Sequence, residues 1–138
     1  MPNEPFYLTV ADLIAIHDEL TARTGSPHAP LRDPALIESA FARPRMAAHY
    51  ENADIVRQSV LLAVGISQAQ AFVDGNKRTA LAAANVFLDL NGFVFVDDPI
   101  EFAQQFEEIA ARRGTLDAAT DQFESWLRMR VQAPPRAS

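Results

Sequence analysis

The chain has 138 residues, of which 49% are hydrophobic, and a formal net charge of -6 at pH 7. That size and composition suit one domain with its own core and exclude a disordered chain, and the longest apolar run, VLLAVGI, is too short to cross a bilayer. The chain has no cysteine, which removes disulfides and thiolate chemistry. Its acidic balance argues against a broad nucleic-acid surface, so any anion site must be a local positive spot.

The N-terminal MPNEPFYL shows no charged-then-apolar leader pattern, and cytoplasmic residence is the expectation. Thr9 caps a helix running to about Arg23, with Asp12 at its third position. Leu13, Ile16, His17 and Leu20 share one face of it. His17 thus reads as a hydrogen-bonded histidine at the edge of the core rather than a catalyst. Gly25 to Pro30 reads as a loop, with His28 exposed in it.

Asp33-Pro34 opens a second helix with Leu36, Ile37, Ala40 and Phe41 facing inward, and Pro44 is expected to end or kink it. Residues 45–53 then read as irregular. Asp54 caps a third helix whose Ile55, Val56, Val60, Leu61, Leu62, Val64 and Ile66 leave few polar faces, the pattern of a central buried helix. It delivers Gln70 to a loop in which Phe72 plugs the core.

A helix over about Lys77 to Leu90 follows, with Gly92 as a left-handed stop and Ala80 and Ala82 to Ala84 allowing close packing. FVFV at 93–96 is a brief extended piece. Asp98-Pro99 with Glu101 starts a helix ending near Gly114, and Thr115 caps a last one bearing Leu116, Ala119, Phe123, Trp126 and Leu127. The expected fold is a single all-α bundle of about six helices over residues 1–130, with a short extended flap and a disordered tail over 131–138.

The chemistry concentrates in Asp74-Gly75-Asn76-Lys77-Arg78. A flexible backbone before a helix start offers free N–H groups and the positive end of the helix dipole to phosphate. Lys77 and Arg78 add full charges, and the Arg fork matches phosphate oxygens. Asp74 can hold a magnesium ion shared with those phosphates. The stretch lacks the GxxxxGK[ST] spacing of a Walker A loop. The plain alternative is an ordinary helix start with solvated basic residues.

The run Gln70-Ala71-Phe72-Val73-Asp74-Gly75-Asn76-Lys77-Arg78 resembles the Fic/Doc superfamily signature His-x-Phe-x-(Asp/Glu)-Gly-Asn-(Lys/Gly)-Arg. Lys before Arg, and Thr-Ala-Leu after it, are similar to the death-on-curing branch of toxins. LTVADLIAIHDEL, LRDPALIESAFARPR, HYENADI and FLDLNGF resemble that branch in the same order, so the likeness covers about residues 6–128. Lys77 stands where the adenylylating branch has Gly, and Leu81 where that branch has a further Arg.

The resemblance implies magnesium at Asp74, ATP phosphates cradled by Gly75, Asn76, Lys77 and Arg78, and a flap over the site near His49 and Tyr50 that positions a target. It implies phosphorylation of a Thr hydroxyl on elongation factor Tu, and a small antitoxin whose tail folds onto the toxin, in a groove expected at the first and last helices. Lys77, Asp74 and position 70 would be the catalytic positions.

The chain departs from the pattern at Gln70, where the family has the His that acts as general base. An amide hydrogen-bonds but takes no proton near neutrality. An active toxin with its base replaced by engineering, a natural variant in which water or substrate carries the proton, a nucleotide- or antitoxin-binding module without chemistry, and an adenylyl transferase all stay open on the sequence.

Overall fold

A computed structural model of the chain describes residues 4–24, 32–111 and 115–134. Among them are six helices and one two-stranded ribbon: α1 (Val10–Thr24), α2 (Ala35–Glu51), α3 (Ile55–Ala69), α4 (Asn76–Leu90), β1 (Val94–Phe95), α5 (Pro99–Ala111), α6 (Leu116–Arg128) and β2 (Val131–Gln132). The architecture is the all-α bundle expected. The loop holding His28, the end of the fifth helix near Gly114 and residues 135–138 lie outside the described residues.

Most helix starts follow from the capping chemistry read in the sequence. Asp12 N–H donates to Thr9 Oγ1 at 3.1 Å while Thr9 N–H donates back to Asp12 Oδ2 at 2.8 Å. Asp54 Oδ1 accepts from Arg57 N–H at 2.9 Å, and Thr115 Oγ1 from Ala118 N–H at 3.1 Å. Gly92 takes the left-handed conformation past α4, at φ 84°.

The apolar helix α3 occupies the centre, packed between α2 and α4 and touched by α6; α1 lies on α4, and α5 on α6. Gly65 is a point of close approach between α3 and α2. A Cβ placed there would sit 3.1 Å from Ala40 Cβ and 3.2 Å from Ala40 Cα. Leu13, Ile37, Leu62, Ile66, Phe72 and Phe87 form one part of the core. Val60, Leu88, Phe102, Phe106, Phe123 and Leu127 form the other. Each such side chain contributes roughly 1.5–3 kcal/mol by leaving water.

Three expectations are corrected. Residues 45–53 are not irregular as a whole: α2 continues through a buried Pro44 to Glu51, and Asn52 ends it in the left-handed conformation. Proline cannot donate to the carbonyl four residues back, and that carbonyl, Ala40 O, lies at the close approach to Gly65. Packing against α3 thus carries the helix past the missing bond. Leu36 is exposed rather than inward, because Ile37, Ala40, Pro44 and Ala47 take the buried stripe. The disordered tail does not begin at 131: Val131 and Gln132 pair antiparallel with Phe95 and Val94, and Val96 N–H donates to Arg130 O at 2.8 Å.

Candidate functional site: a loop and helix start facing a cavity

The α3–α4 loop begins at Gln70, which ends α3 in the left-handed conformation at φ 51°. Its amide is used locally: Nε2 donates to Ser67 O at 2.8 Å, the bond of a residue closing a helix end. Its Oε1 lies 3.5 Å from Asn76 Nδ2, at the limit of a hydrogen bond.

Asn76 holds the loop shut. Its Oδ1 accepts from Phe72 N–H at 3.0 Å, and its Nδ2 donates to Phe72 O at 2.9 Å. Asn76 is buried, so these bonds satisfy polar groups that water does not reach. The reading of Asn76 as a phosphate ligand narrows accordingly. Its side chain is a clamp on the loop, and what it can offer an anion is its backbone N–H.

Gly75 is the N-cap of α4 at φ 79°, in the left-handed region that glycine adopts without strain. No side chain caps this helix. The first intrahelical bond is Thr79 N–H to Gly75 O at 2.9 Å, so the N–H groups of Asn76, Lys77 and Arg78 have no intrahelical acceptor. Asp74 is exposed, with Oδ1 accepting from Gly75 N–H at 2.8 Å.

The loop and helix start open onto a cavity of about 720 Å³. Gln70, Asp74, Gly75, Asn76, Lys77 and Arg78 all line it, so six of the residues singled out in the sequence meet at one place. The opposite wall is Phe95 in β1 and Asp97 just after it, with Phe102, Ala103 and Glu107 on α5; Leu81, Ala82 and Asn85 form the floor along α4. One side is cationic with a helix N-terminus, and the other mixes aromatic rings with carboxylates. Its size and its mix of apolar and charged groups are those of small-molecule sites in general.

The donor set fits magnesium held through a phosphate. The loop supplies one carboxylate, Asp74, and this ion takes one or two carboxylates with the remaining positions filled by water and substrate oxygens. Among the described residues no cluster of three or more His, Asp or Glu forms a dedicated metal cage.

His49 and Tyr50 are not brought to this site. They lie in the last turn of α2, ring against ring at 4.6 Å, Tyr50 exposed, and neither lines the cavity. The extended segment that does border it is the β1 region. The cavity's floor was within reach of the sequence, since 81, 82 and 85 follow Arg78 at helical spacing. Phe95, Asp97 and α5 had no such signal, because only tertiary docking brings them there.

His17 is buried and hydrogen-bonded, as its place on α1 implied, but it lies directly beneath this loop: Nε2 donates to Asp74 O at 2.9 Å.

The family model described as Fic/DOC family matches residues 7–88, which take in most of α1 to α4 and the whole loop. The chain is 33% identical over 94 residues to protein kinase doc of Escherichia phage P1, an overlap covering 67% of this chain and 74% of that protein. It is 35% identical over 92 residues to Toxin Doc of Mycolicibacterium smegmatis, covering 64% and 71% of the two. With the family match spanning more than half of the chain and the loop inside it, the chain belongs to the Fic/DOC family.

Proposed function

We propose that this protein is a Doc-like toxin whose cavity binds magnesium ATP and transfers a phosphoryl group to a hydroxyl of a translation factor, elongation factor Tu, with catalysis impaired by Gln70. The observation that carries the reading is the convergence of Asp74, Lys77, Arg78 and an uncapped helix N-terminus on one cavity. The name of one relative, a protein kinase, supports the chemistry, and that of the other, a toxin, supports the toxin reading.

Phosphoryl transfer asks mainly for positioning and charge neutralisation. Asp74 would hold the magnesium ion, which supplies charge to the phosphate oxygens. The N–H groups at the start of α4, with Lys77 and Arg78, would hold the phosphates. The accepting hydroxyl then bonds to phosphorus as the bond to the leaving phosphate breaks, and the hydroxyl proton must leave. At position 70 a histidine would take that proton; Gln70 cannot, and loss of a general base costs on the order of a hundredfold to ten-thousandfold in rate.

The expected partner is a small antitoxin with a tail that folds on binding. Among the described residues no helix is long and apolar enough to cross a membrane.

A second reading rests on Gln70 itself. Its amide is committed to Ser67 O, leaving the loop intact without a base, which suits a module that binds nucleotide or antitoxin without turnover. The two readings separate in a bacterial host expressing the chain beside its Gln70→His variant, with phosphorylation of elongation factor Tu followed in the same cells. The phosphotransferase reading expects growth arrest and labelling with the variant. Equal soluble expression with neither effect sinks it and leaves binding as the function.

A further inference from the structure

The motif is read along the chain from Gln70 to Arg78, but one residue that holds it comes from α1. We infer that His17 is a positioning residue of the anion-binding loop, fixing Phe72 and Asp74 from below so that the α4 N–H groups and the Asp74 carboxylate stay aimed at the cavity. The inference rests on the proposed reading of that loop as a phosphate site.

Three observations carry it. The His17 ring lies parallel on the Phe72 ring, with centroids 3.8 Å apart and planes within 4°. Its Nε2 is 2.9 Å from Asp74 O. A Cβ built on Gly75 would meet His17 Nε2 at 3.6 Å and Cδ2 at 3.8 Å, so the ring borders the space where a side chain at position 75 would stand. One side chain thus holds two residues of the loop, by a ring stack and by a hydrogen bond, and borders a third. Asn76 holds the Phe72 peptide from the helix side, and the segment between Phe72 and Asn76 is fixed at both ends and in the middle.

The chemistry also assigns the proton. A carbonyl oxygen only accepts, so Nε2 carries hydrogen and, in the neutral ring, Nδ1 carries the lone pair. Nδ1 is buried without a hydrogen-bond partner among the described residues, with Asp18 Oδ1 3.8 Å away. An unsatisfied buried nitrogen is a cost. Phenylalanine would keep the stack without that cost, but would leave Asp74 O without its donor. A histidine here is explained by the bond to the loop rather than by packing.

The matter is one of preorganisation. A site built from backbone N–H groups attracts an anion only as far as those groups are held in place beforehand. Asp74 presents its carboxylate at the surface while its carbonyl is tied inward to α1, so the same residue that would hold the metal ion is anchored through its backbone.

The test uses the full chain with His17→Phe, which keeps an aromatic ring on Phe72 and removes the donor, and His17→Gln, which restores an N–H. Amide hydrogen exchange is followed at Phe72 and Thr79, whose buried N–H groups bond to Asn76 Oδ1 and Gly75 O at the two ends of the loop, and in α3, and inorganic phosphate is titrated calorimetrically in the presence of magnesium. His17→Phe should speed exchange in the loop and weaken phosphate binding, each by about tenfold, with α3 unchanged and His17→Gln recovering most of the loss. Loop exchange unchanged in His17→Phe, or raised equally in α3, would overturn the inference and leave His17 as packing alone.

Should the unaltered chain bind no phosphate, the phosphate reading of the loop fails, while the exchange measurement still decides whether His17 orders the segment. If His17→Phe does not fold, the nitrogen-15 spectrum of the unaltered protein decides. Hydrogen on Nε2 with slow exchange is expected, and hydrogen on Nδ1 alone overturns the assignment.

Discussion

Arg78 is the side chain on which the phosphate reading of the loop is most exposed to failure. It stands in the first turn of α4 and lines the cavity beside Lys77. If it forks onto phosphate, Arg78→Ala should weaken binding of magnesium nucleotide or inorganic phosphate by about ten- to a hundredfold, the worth of one or two charge-assisted hydrogen bonds. The helical CD spectrum should be unchanged, since the residue is exposed. Unchanged affinity in calorimetry would mean that Arg78 serves only its protein neighbours. Residues 70 to 78 were legible in the sequence because contiguous residue types carry their own chemistry. What was not legible is that three of them, Gln70, Asp74 and Asn76, use their side chains on the backbone of their own neighbourhood. Nor could a reading along the chain find His17 under Asp74, since 57 positions separate them.

At the scale of elements, the caps are what sequence reads best, because a cap is settled within three or four residues. Asp54 shows how tertiary structure then adds to one. It caps α3, and its carboxylate also receives two bonds from Arg128 at the end of α6, each 2.8 Å. Arg128 in turn meets Glu124, which shares Arg57 with Asp121. The hydrogen bonds from Arg128 hold the Asp54 carboxyl below its ordinary range, against the opposing effect of burial. A depressed carboxyl contributes stability that is present above its unfolded value, about 3.9, and is lost as pH falls through the lower folded value. Asn caps a helix as well as Asp does, so Asp54→Asn isolates the ion pair. At pH 7 it should lower stability by no more than about 1 kcal/mol, because the pair is half exposed. The gap between the two proteins should close on acidification below about pH 4. Urea unfolding at pH 7 and pH 3 checks this, and a gap that persists at pH 3 would assign the loss to the cap instead. Pro44 shows the limit of local rules. Proline read as a stop is correct for an isolated helix, whereas here α2 is held along its length by α3, and the lost bond is tolerated.

At the scale of the molecule, the described residues form two clusters of buried side chains, and the cavity lies where elements of both meet. Phe72 and the start of α4 belong with the first cluster, while Phe102 on the far wall belongs with the second. Helices α3 and α4 supply residues to both clusters, and Ile55 packs against each. Neither half can lose its packing without exposing one side of the central pair, so the fold should unfold as a single cooperative unit. Trp126 makes this measurable. It is the chain's one tryptophan, and it lies in the second cluster against Phe95, Phe102 and Phe123, with the Arg130 guanidinium 4.5 Å from its ring. Its fluorescence therefore reports on α5, α6 and the β1–β2 ribbon, while helical CD reports on the whole bundle. The two signals should give one coincident urea transition. An earlier fluorescence midpoint would mean that α5 and α6 detach from a stable remainder. The loop, α1 and α4 would then survive without the far wall of the cavity, and anion binding at the loop would be separable from recognition of whatever reaches Phe95, Phe102 and Glu107.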